Sequence, residues 1–263
     1  MADFSTDDLV DITRRAGQTA MAFYLREHDI SLKEDKSPVT EADFAVDNLL
    51  FPVLTARHRD IPVVTEERAE THGAAPGNGR FFLVDPIDGT KEFIRKTGEF
   101  TINIALIENR APVAGIVYAP AIDRMFVGDL ESGAREIGAD GIARKISVRG
   151  SGETLTAVAS RSHLTKETED FLSANKISEC VNAGSSLKFC LVAAGEADIY
   201  PRFGPTMEWD TAAGHAVLAA AGGRVLTCDG SPLSYGKPQF RNPYFIAATP
   251  SARYSIPSTV QAM

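Results

Sequence analysis

The chain has 263 residues, 44% hydrophobic and 24% charged, an ordinary globular composition that excludes long disorder. At roughly 150 residues per domain, this length suits one large domain or two fused halves. Lys and Arg number 27 against 35 Asp and Glu; the net charge of -8 gives no general reason to bind a nucleic acid polymer or an anionic lipid surface.

Ser5-Thr6-Asp7-Asp8 resembles a helix start, and Leu9, Ile12, Ala16, Ala20 and Phe23 follow at helical spacing, predicting a first helix to about Glu27. A second helix is expected after Ser37-Pro38, carrying Phe44, Ala45, Leu49 and Leu50. Residues 61–65 and 81–84 are β-branched or aromatic runs and read as strands. In 100–107, alternation puts Phe100, Ile102, Ile104 and Leu106 on one face; a turn at 109–112 then leads into 113–118 as an antiparallel hairpin. Later come a strand at 155–159, helices at 165–174 and 186–194, and a strand at 197–200. A helix of small residues at 211–221 and strands at 224–227 and 244–248 complete the pattern. Helices and strands intermix throughout, so the fold class is α+β or layered α/β. A loose boundary near 149–153 divides residues 1–150 from 151–263 within one compact unit.

Cys180, Cys190 and Cys228 are an odd number without CxxC spacing, which argues against a zinc ribbon or a disulfide framework and for a reducing compartment. The acidic N-terminus lacks the marks of a signal peptide, and the apolar stretch 216–221 is far short of the ~20 residues of a membrane span. The expected location is cytoplasmic, with no integral membrane segment; peripheral contact with the inner face of the cell membrane stays open.

The most informative segment is Phe81-Phe82-Leu83-Val84-Asp85-Pro86-Ile87-Asp88-Gly89-Thr90. An apolar strand ends at Asp85, because Pro86 has no N–H for the ladder. A turn there lets Asp85, Asp88 and the Ile87 carbonyl converge, three oxygens that suit a hard divalent cation such as Mg²⁺. Gly89-Thr90 opens a helix whose free N–H groups form a seat for phosphate. Taken alone, these residues equally describe a strand end and a helix cap. Glu66 and Glu67 follow the strand 61–65, and Asp210 in Met207-Glu208-Trp209-Asp210 sits at the N-cap of helix 211–221. Thr40 and Asp43 fit a capping box; otherwise Asp43 is a carboxylate that orients a water.

Strand-Glu-Glu, then D-P-I-D-G-T, then W-D-x-A-A-G, in this order, resembles the inositol monophosphatase superfamily. Asp-Gly-Thr-Lys-Glu-Phe, Gly184-Ser185-Ser186-Leu187-Lys188-Phe189 and Tyr200-Pro201-Arg202-Phe203-Gly204-Pro205-Thr206 are similar to its CysQ-type, 3'(2'),5'-bisphosphate nucleotidase branch. The likeness spans Lys36 to Asn242. It implies an αβαβα sandwich of the sugar phosphatase type, with most metal ligands in residues 1–150, and the substrate loop and last ligand in 151–263. By resemblance, Glu66, Asp85 and the Ile87 carbonyl hold one Mg²⁺; Asp85, Asp88 and Asp210 hold a second, in a site of two or three ions. Asp43 and Thr90 orient the attacking water, with Glu66 beside them in the catalytic set. Substrate contacts are expected from Asp88, Gly89, Thr90, Gly184, Ser185, Ser186, Arg202, Asp210 and Lys36. At Arg202 the inositol monophosphatases typically carry a Glu; a guanidinium cannot accept from a sugar hydroxyl but binds phosphate in a bidentate way. Lys91 and Lys188 read equally as solvated surface cations or as further phosphate contacts.

The resemblance thus implies a lithium-sensitive phosphomonoesterase acting on a small nucleotide bisphosphate, 3'-phosphoadenosine 5'-phosphate, to give AMP and phosphate, as a monomer or homodimer. An inositol monophosphatase or broad sugar-phosphate phosphatase is the alternative. A haloacid-dehalogenase-type phosphatase needs D-x-D-x-[TV], whereas two residues separate Asp85 from Asp88; a non-catalytic sensor leaves a full set of ligands unexplained. There is no G-x-S-x-G, G-x-x-x-x-G-K-[ST] or H-E-x-x-H, and Gly77 with Gly79 lacks the third glycine of a dinucleotide fingerprint.

Overall fold

The computed structural model describes residues 5–26, 41–74, 79–150, 152, 154–159 and 165–261. Lys36, the Ser37-Pro38 helix start, Thr40 and Gly77 lie outside the described residues, as do Glu27 and Glu153. The chain opens with α1 (Asp7–Tyr24) and α2 (Glu41–Arg57). α1 buries Leu9, Ile12, Ala16 and Ala20 on one stripe, and Asp7 and Asp8 favour its positive end.

The first sheet has seven strands in chain order: β1 (Val63–Thr65), β2 (Arg80–Asp88), β3 (Thr101–Glu108), β4 (Ala111–Ala119), β5 (Arg124–Asp129), β6 (Gly133–Ile137) and β7 (Ala143–Ile146). β1 pairs parallel to β2, and the rest form an antiparallel meander. A short helix, α3 (Thr90–Ile94), joins β2 to β3. Side-chain alternation sorts the two faces. Phe82, Val84, Ile102, Ile104, Leu106 and Ile116 pack with α1 and α2. Phe81, Leu83, Ala105, Ile107 and Val117 enter a second core on the other face.

The remainder of the chain supplies β8 (Thr156–Ala159), α4 (Lys166–Ala174), β9 (Glu179–Asn182), α5 (Leu187–Ala193), β10 (Ile199–Arg202), α6 (Trp209–Ala220), β11 (Arg224–Thr227), β12 (Phe245–Ala248) and α7 (Ser258–Gln261). The second sheet is ordered β11-β12-β10-β8-β9. α5 and α6 lie between the sheets, because their residues share one core with Leu83 and Val117 on one side and Tyr200 and Phe245 on the other. Phe171 of α4 and Val260 of α7 pack on the outer face of the second sheet, against Ile199 and Ile246. The layers therefore run α-β-α-β-α. Small residues let α6 lie close to the first sheet: a Cβ at Gly128 would sit 2.4 Å from Val217 Cα. Among the described residues, no helix is long and apolar enough to cross a membrane.

Two expectations need correction. β2 does not end at Asp85 but continues to Asp88 through a break in register. Nor does Asp210 cap a helix: α6 begins at Trp209, which puts Asp210 inside the first turn.

Candidate active site

The break in β2 brings its acids together. Asp85 pairs with Asn103 and Asp88 with Thr101, so Pro86 and Ile87 together oppose Ile102. Such a bulge removes the proline from the ladder, where it has no N–H to give. In an unbroken strand, residues three apart face opposite ways; here both aspartates pair with β3 residues that share a face. The Ile87 side chain packs into the α1–α2 core from within the bulge. Gly89 then turns with φ of 89°, and a Cβ there would meet Ser185 Oγ at 2.1 Å, so the turn requires glycine. Thr90 begins α3.

β1 runs beside β2 in the same direction and delivers Glu66 to the same end of the sheet. The Glu66 N–H donates to the Val84 carbonyl at 3.1 Å. Asp210 arrives from α6, with Oδ2 accepting the Met207 N–H at 2.8 Å. One carboxylate oxygen from each of Glu66, Asp85 and Asp210 lies within 4.8 Å of the others. Asp43 is buried on the first turn of α2.

Burial, reinforced by the crowding of negative charge, dominates the electrostatics. Burial, then Asp210, Glu67, Asp88 and Asp43, pushes Glu66 up to about 9, although the residue stands at the open side of the cluster. Asp85 is pushed well above the carboxylate range by burial and by Glu66, Asp88, Asp210 and Asp43. Burial and Asp210 raise Asp88 to about 7 against the opposing pull of Lys188 and the Ser186 N–H. Asp210 reaches about 6, raised by burial and restrained by the Met207 N–H, Arg202 and Lys188. Asp85 Oδ1 is buried and receives no hydrogen bond from the described residues. Beside the acids opens a cavity of ≈ 350 Å³, lined in part by Gly89, Thr90, Ser185, Lys188 and Arg202.

The inositol monophosphatase family profile matches residues 5–255. The chain belongs to that family. It is 43% identical over 242 residues to the 3'(2'),5'-bisphosphate nucleotidase CysQ of Escherichia coli K12, covering 91% of this chain and 97% of that protein. Identity to the Haemophilus influenzae protein of the same name is 31% over 239 residues, 89% of each chain. The crystal structure of CysQ from Bacteroides thetaiotaomicron, described as a bacterial member of the family, superposes with a TM-score of 0.81 at 36% identity, covering 93% of this chain and 96% of that one.

Of the residues singled out in the sequence, Asp88, Gly89, Thr90, Ser185, Arg202 and Asp210 line the cavity. Gly184 is not among the lining residues; a Cβ there would lie 2.9 Å from the Glu99 carbonyl oxygen. The Ser185 and Ser186 hydroxyls are engaged with protein. Ser185 Oγ lies 2.9 Å from the Asp88 carbonyl and 2.7 Å from that of Glu99, and Ser186 Oγ donates to Asn103 Oδ1 at 2.6 Å. Arg202 Nη2 donates to the Pro205 carbonyl at 3.0 Å, and the residue lines both the main cavity and a second of ≈ 310 Å³.

Lys188 is the residue that sequence reasoning undervalued. It is buried rather than a surface cation, its Nζ donates to the Ser185 carbonyl at 2.6 Å, and burial lowers it to about 8 despite nearby Asp88. The sequence shows it only as the one charged residue of the apolar run 187–194; the burial of all of α5 is what the structure adds. Lys91 is exposed, and it too lines the cavity.

A buried bracket holds the Glu66 turn. Asp47 of α2 accepts from Thr65 Oγ1 at 2.7 Å and pairs with Arg68 Nε at 2.6 Å. His72 Nε2 lies 3.0 Å from the Thr65 carbonyl, and its ring stacks on Trp209 at 5.1 Å, tying the Glu66 turn to the helix that carries Asp210. Asp47→Ala should cost about 2–3 kcal/mol in denaturant unfolding, toward the low end for a broken buried pair, because Arg68 keeps partial access to water. A loss under about 0.5 kcal/mol, the size of an ordinary surface change, would dismiss the bracket.

Proposed function

We propose that this chain is a Mg²⁺-dependent 3'(2'),5'-bisphosphate nucleotidase, hydrolysing the 3'-phosphate of 3'-phosphoadenosine 5'-phosphate to AMP and phosphate. The observation that carries the reading is a tight carboxylate trio, Glu66, Asp85 and Asp210, joined through Asp210 to a cavity that Asp88 and the cations Lys91, Lys188 and Arg202 also line. The acids suit hard divalent ions: the donors are all oxygens, one of them buried and unpaired, and so many neighbouring carboxylates cannot all ionise without a positive charge among them. Glu66, Asp85 and the Ile87 carbonyl would hold one ion, and Asp85, Asp88 and Asp210 another. Bound there, such a pair supplies Lewis acidity, lowering the pKa of water and offsetting charge on the phosphoryl and leaving oxygens.

The protein's own groups do the rest. Asp43 and Thr90 orient the attacking water in line with the scissile bond. The N-terminal turn of α3 and Lys188 hold the transferring phosphate, and Arg202 binds the second phosphate. The relatives' name supports the substrate, and Arg202 supports a ligand with two phosphates over a singly phosphorylated polyol.

Phosphate release should be compared for adenosine 3',5'-bisphosphate, its sulfated form, inositol 1-phosphate and fructose 1,6-bisphosphate, each with and without Mg²⁺. The nucleotide should be the fastest substrate, and only with the cation; equal turnover of inositol 1-phosphate would favour a broad sugar-phosphate phosphatase. Arg202→Ala should lower kcat/KM for the nucleotide by about 10- to 100-fold, the worth of a charge-assisted bond, and change a simple monophosphate ester little. Equal losses on both substrates would refute the role given to the guanidinium.

A further inference from the structure

Asn103 has no part in the reaction described above, yet it sits directly opposite Asp85 in the antiparallel pairing of β3 with β2. Opposed side chains leave the same face with Cβ atoms about 5 Å apart. Both residues are only 1% exposed. Asn103 Nδ2 and Asp85 Oδ1 are each buried without a partner among the described residues. An open donor and an open acceptor on adjacent buried side chains are uncommon and call for an account.

The other end of the amide is fixed. Ser186 Oγ lies 2.6 Å from Asn103 Oδ1, and Thr101 Oγ1 lies 2.9 Å from Ser186 Oγ. An amide oxygen only accepts, so Ser186 must donate to it, and Thr101 in turn donates to Ser186. This one-way chain turns the oxygen of Asn103 toward α5 and leaves its NH₂ as the end free for another partner. Thr101 stands opposite Asp88 just as Asn103 stands opposite Asp85, so the chain runs along the β3 face that backs both aspartates.

We propose that Asn103 is a positioning residue for Asp85. Its Nδ2 donates to the carboxylate when Asp85 holds a divalent cation, and so fixes which oxygen is presented to the ion. A neutral donor suits this task, since a cation in its place would cancel the ligand's charge. The proposal rests on reading Asp85 as a cation ligand.

The test is Mn²⁺ binding followed by electron paramagnetic resonance on substrate-free protein, with thermal unfolding as the control for folding. Asn103→Leu fills similar space without a donor and should weaken Mn²⁺ by about 10-fold or more, the usual scale for a group that orients a ligand. Ser186→Ala, which removes one hydroxyl, should weaken it several-fold. The double variant should be no weaker than Asn103→Leu alone, because the serine acts through the amide. In assays of Asn103→Leu, the Mg²⁺ concentration for half-maximal activity should rise while KM for the nucleotide holds. If Asn103→Leu does not fold, unchanged Mn²⁺ affinity in Ser186→Ala overturns the proposal. Binding within twofold of the unsubstituted protein in a folded Asn103→Leu overturns it alone. Absence of Mn²⁺ binding by the unsubstituted protein overturns the cation reading as well.

Discussion

Asp85→Asn should lose Mg²⁺-dependent turnover by more than ~100-fold while making the metal-free protein harder to unfold at pH 8. The first effect follows because groups that merely orient a ligand already cost about 10- to 100-fold, and Asp85 is the buried member of the trio, assigned to both ions. The second follows from burial and from the neighbouring acids, which push Asp85 far above the usual carboxylate range. Each is a free-energy cost of folding with an acid at this place, and a neutral amide of the same shape removes both. Thermal unfolding in EDTA should show Asp85→Asn above the parent; added Mg²⁺ should raise the parent and leave the variant unmoved. Turnover within tenfold of the parent, or lower stability in EDTA, would contradict the assignment. Opposite signs for activity and stability distinguish a functional acid from a structural one, because removing a structural acid costs stability.

Much of this was legible in the sequence wherever a single physical rule governed a segment. α1 showed as a stripe of Leu9, Ile12, Ala16 and Ala20, and β3 as alternating Phe100, Ile102, Ile104 and Leu106, because each buries a face at its own period. Strands β5 to β7 were not foreseen. They carry Gly128, Gly133 and charged residues such as Arg124, Arg135 and Lys145, and their pairing depends on the meander already formed beside them. The structure turns Asp85 and Asp88 to one face of the sheet, but not by the route read from the sequence. A proline was expected to end the strand, whereas a neighbouring strand with a well-specified register absorbs it as a bulge. Lys188 and Asn103 were hard to weigh for a related reason. A lone polar residue in an apolar run becomes informative only when the chain brings up what faces it, here Asp88 on one side and Asp85 on the other.

The same crowding fixes how metal and proton compete. Folded pKa values of about 6 for Asp210, about 7 for Asp88 and about 9 for Glu66 all lie above those of the unfolded chain. Between the two sets of values the native state binds more protons than the unfolded state, so stability falls as pH rises. His215 acts in the opposite sense: burial lowers it to about 3, so the stability it gives as a neutral ring is lost below about pH 6.5. From pH 7 to 9 that histidine is almost wholly neutral in both states. Lys188, lowered to about 8, acts against the acids, but Glu66, raised to about 9, and Asp85, raised well above the carboxylate range, outweigh it and set the slope. The metal-free protein should therefore lose stability steadily across this window. A divalent cation binds the ionised carboxylates and displaces their protons, so its apparent affinity should climb over the same range. Unfolding temperatures in EDTA and in saturating Mg²⁺ should separate further at each step from pH 7 to pH 9, and taking the difference cancels titrations remote from the site. A gap that stays constant or narrows with pH would mean that these acids are not held protonated by one another, and that the cation does not relieve them.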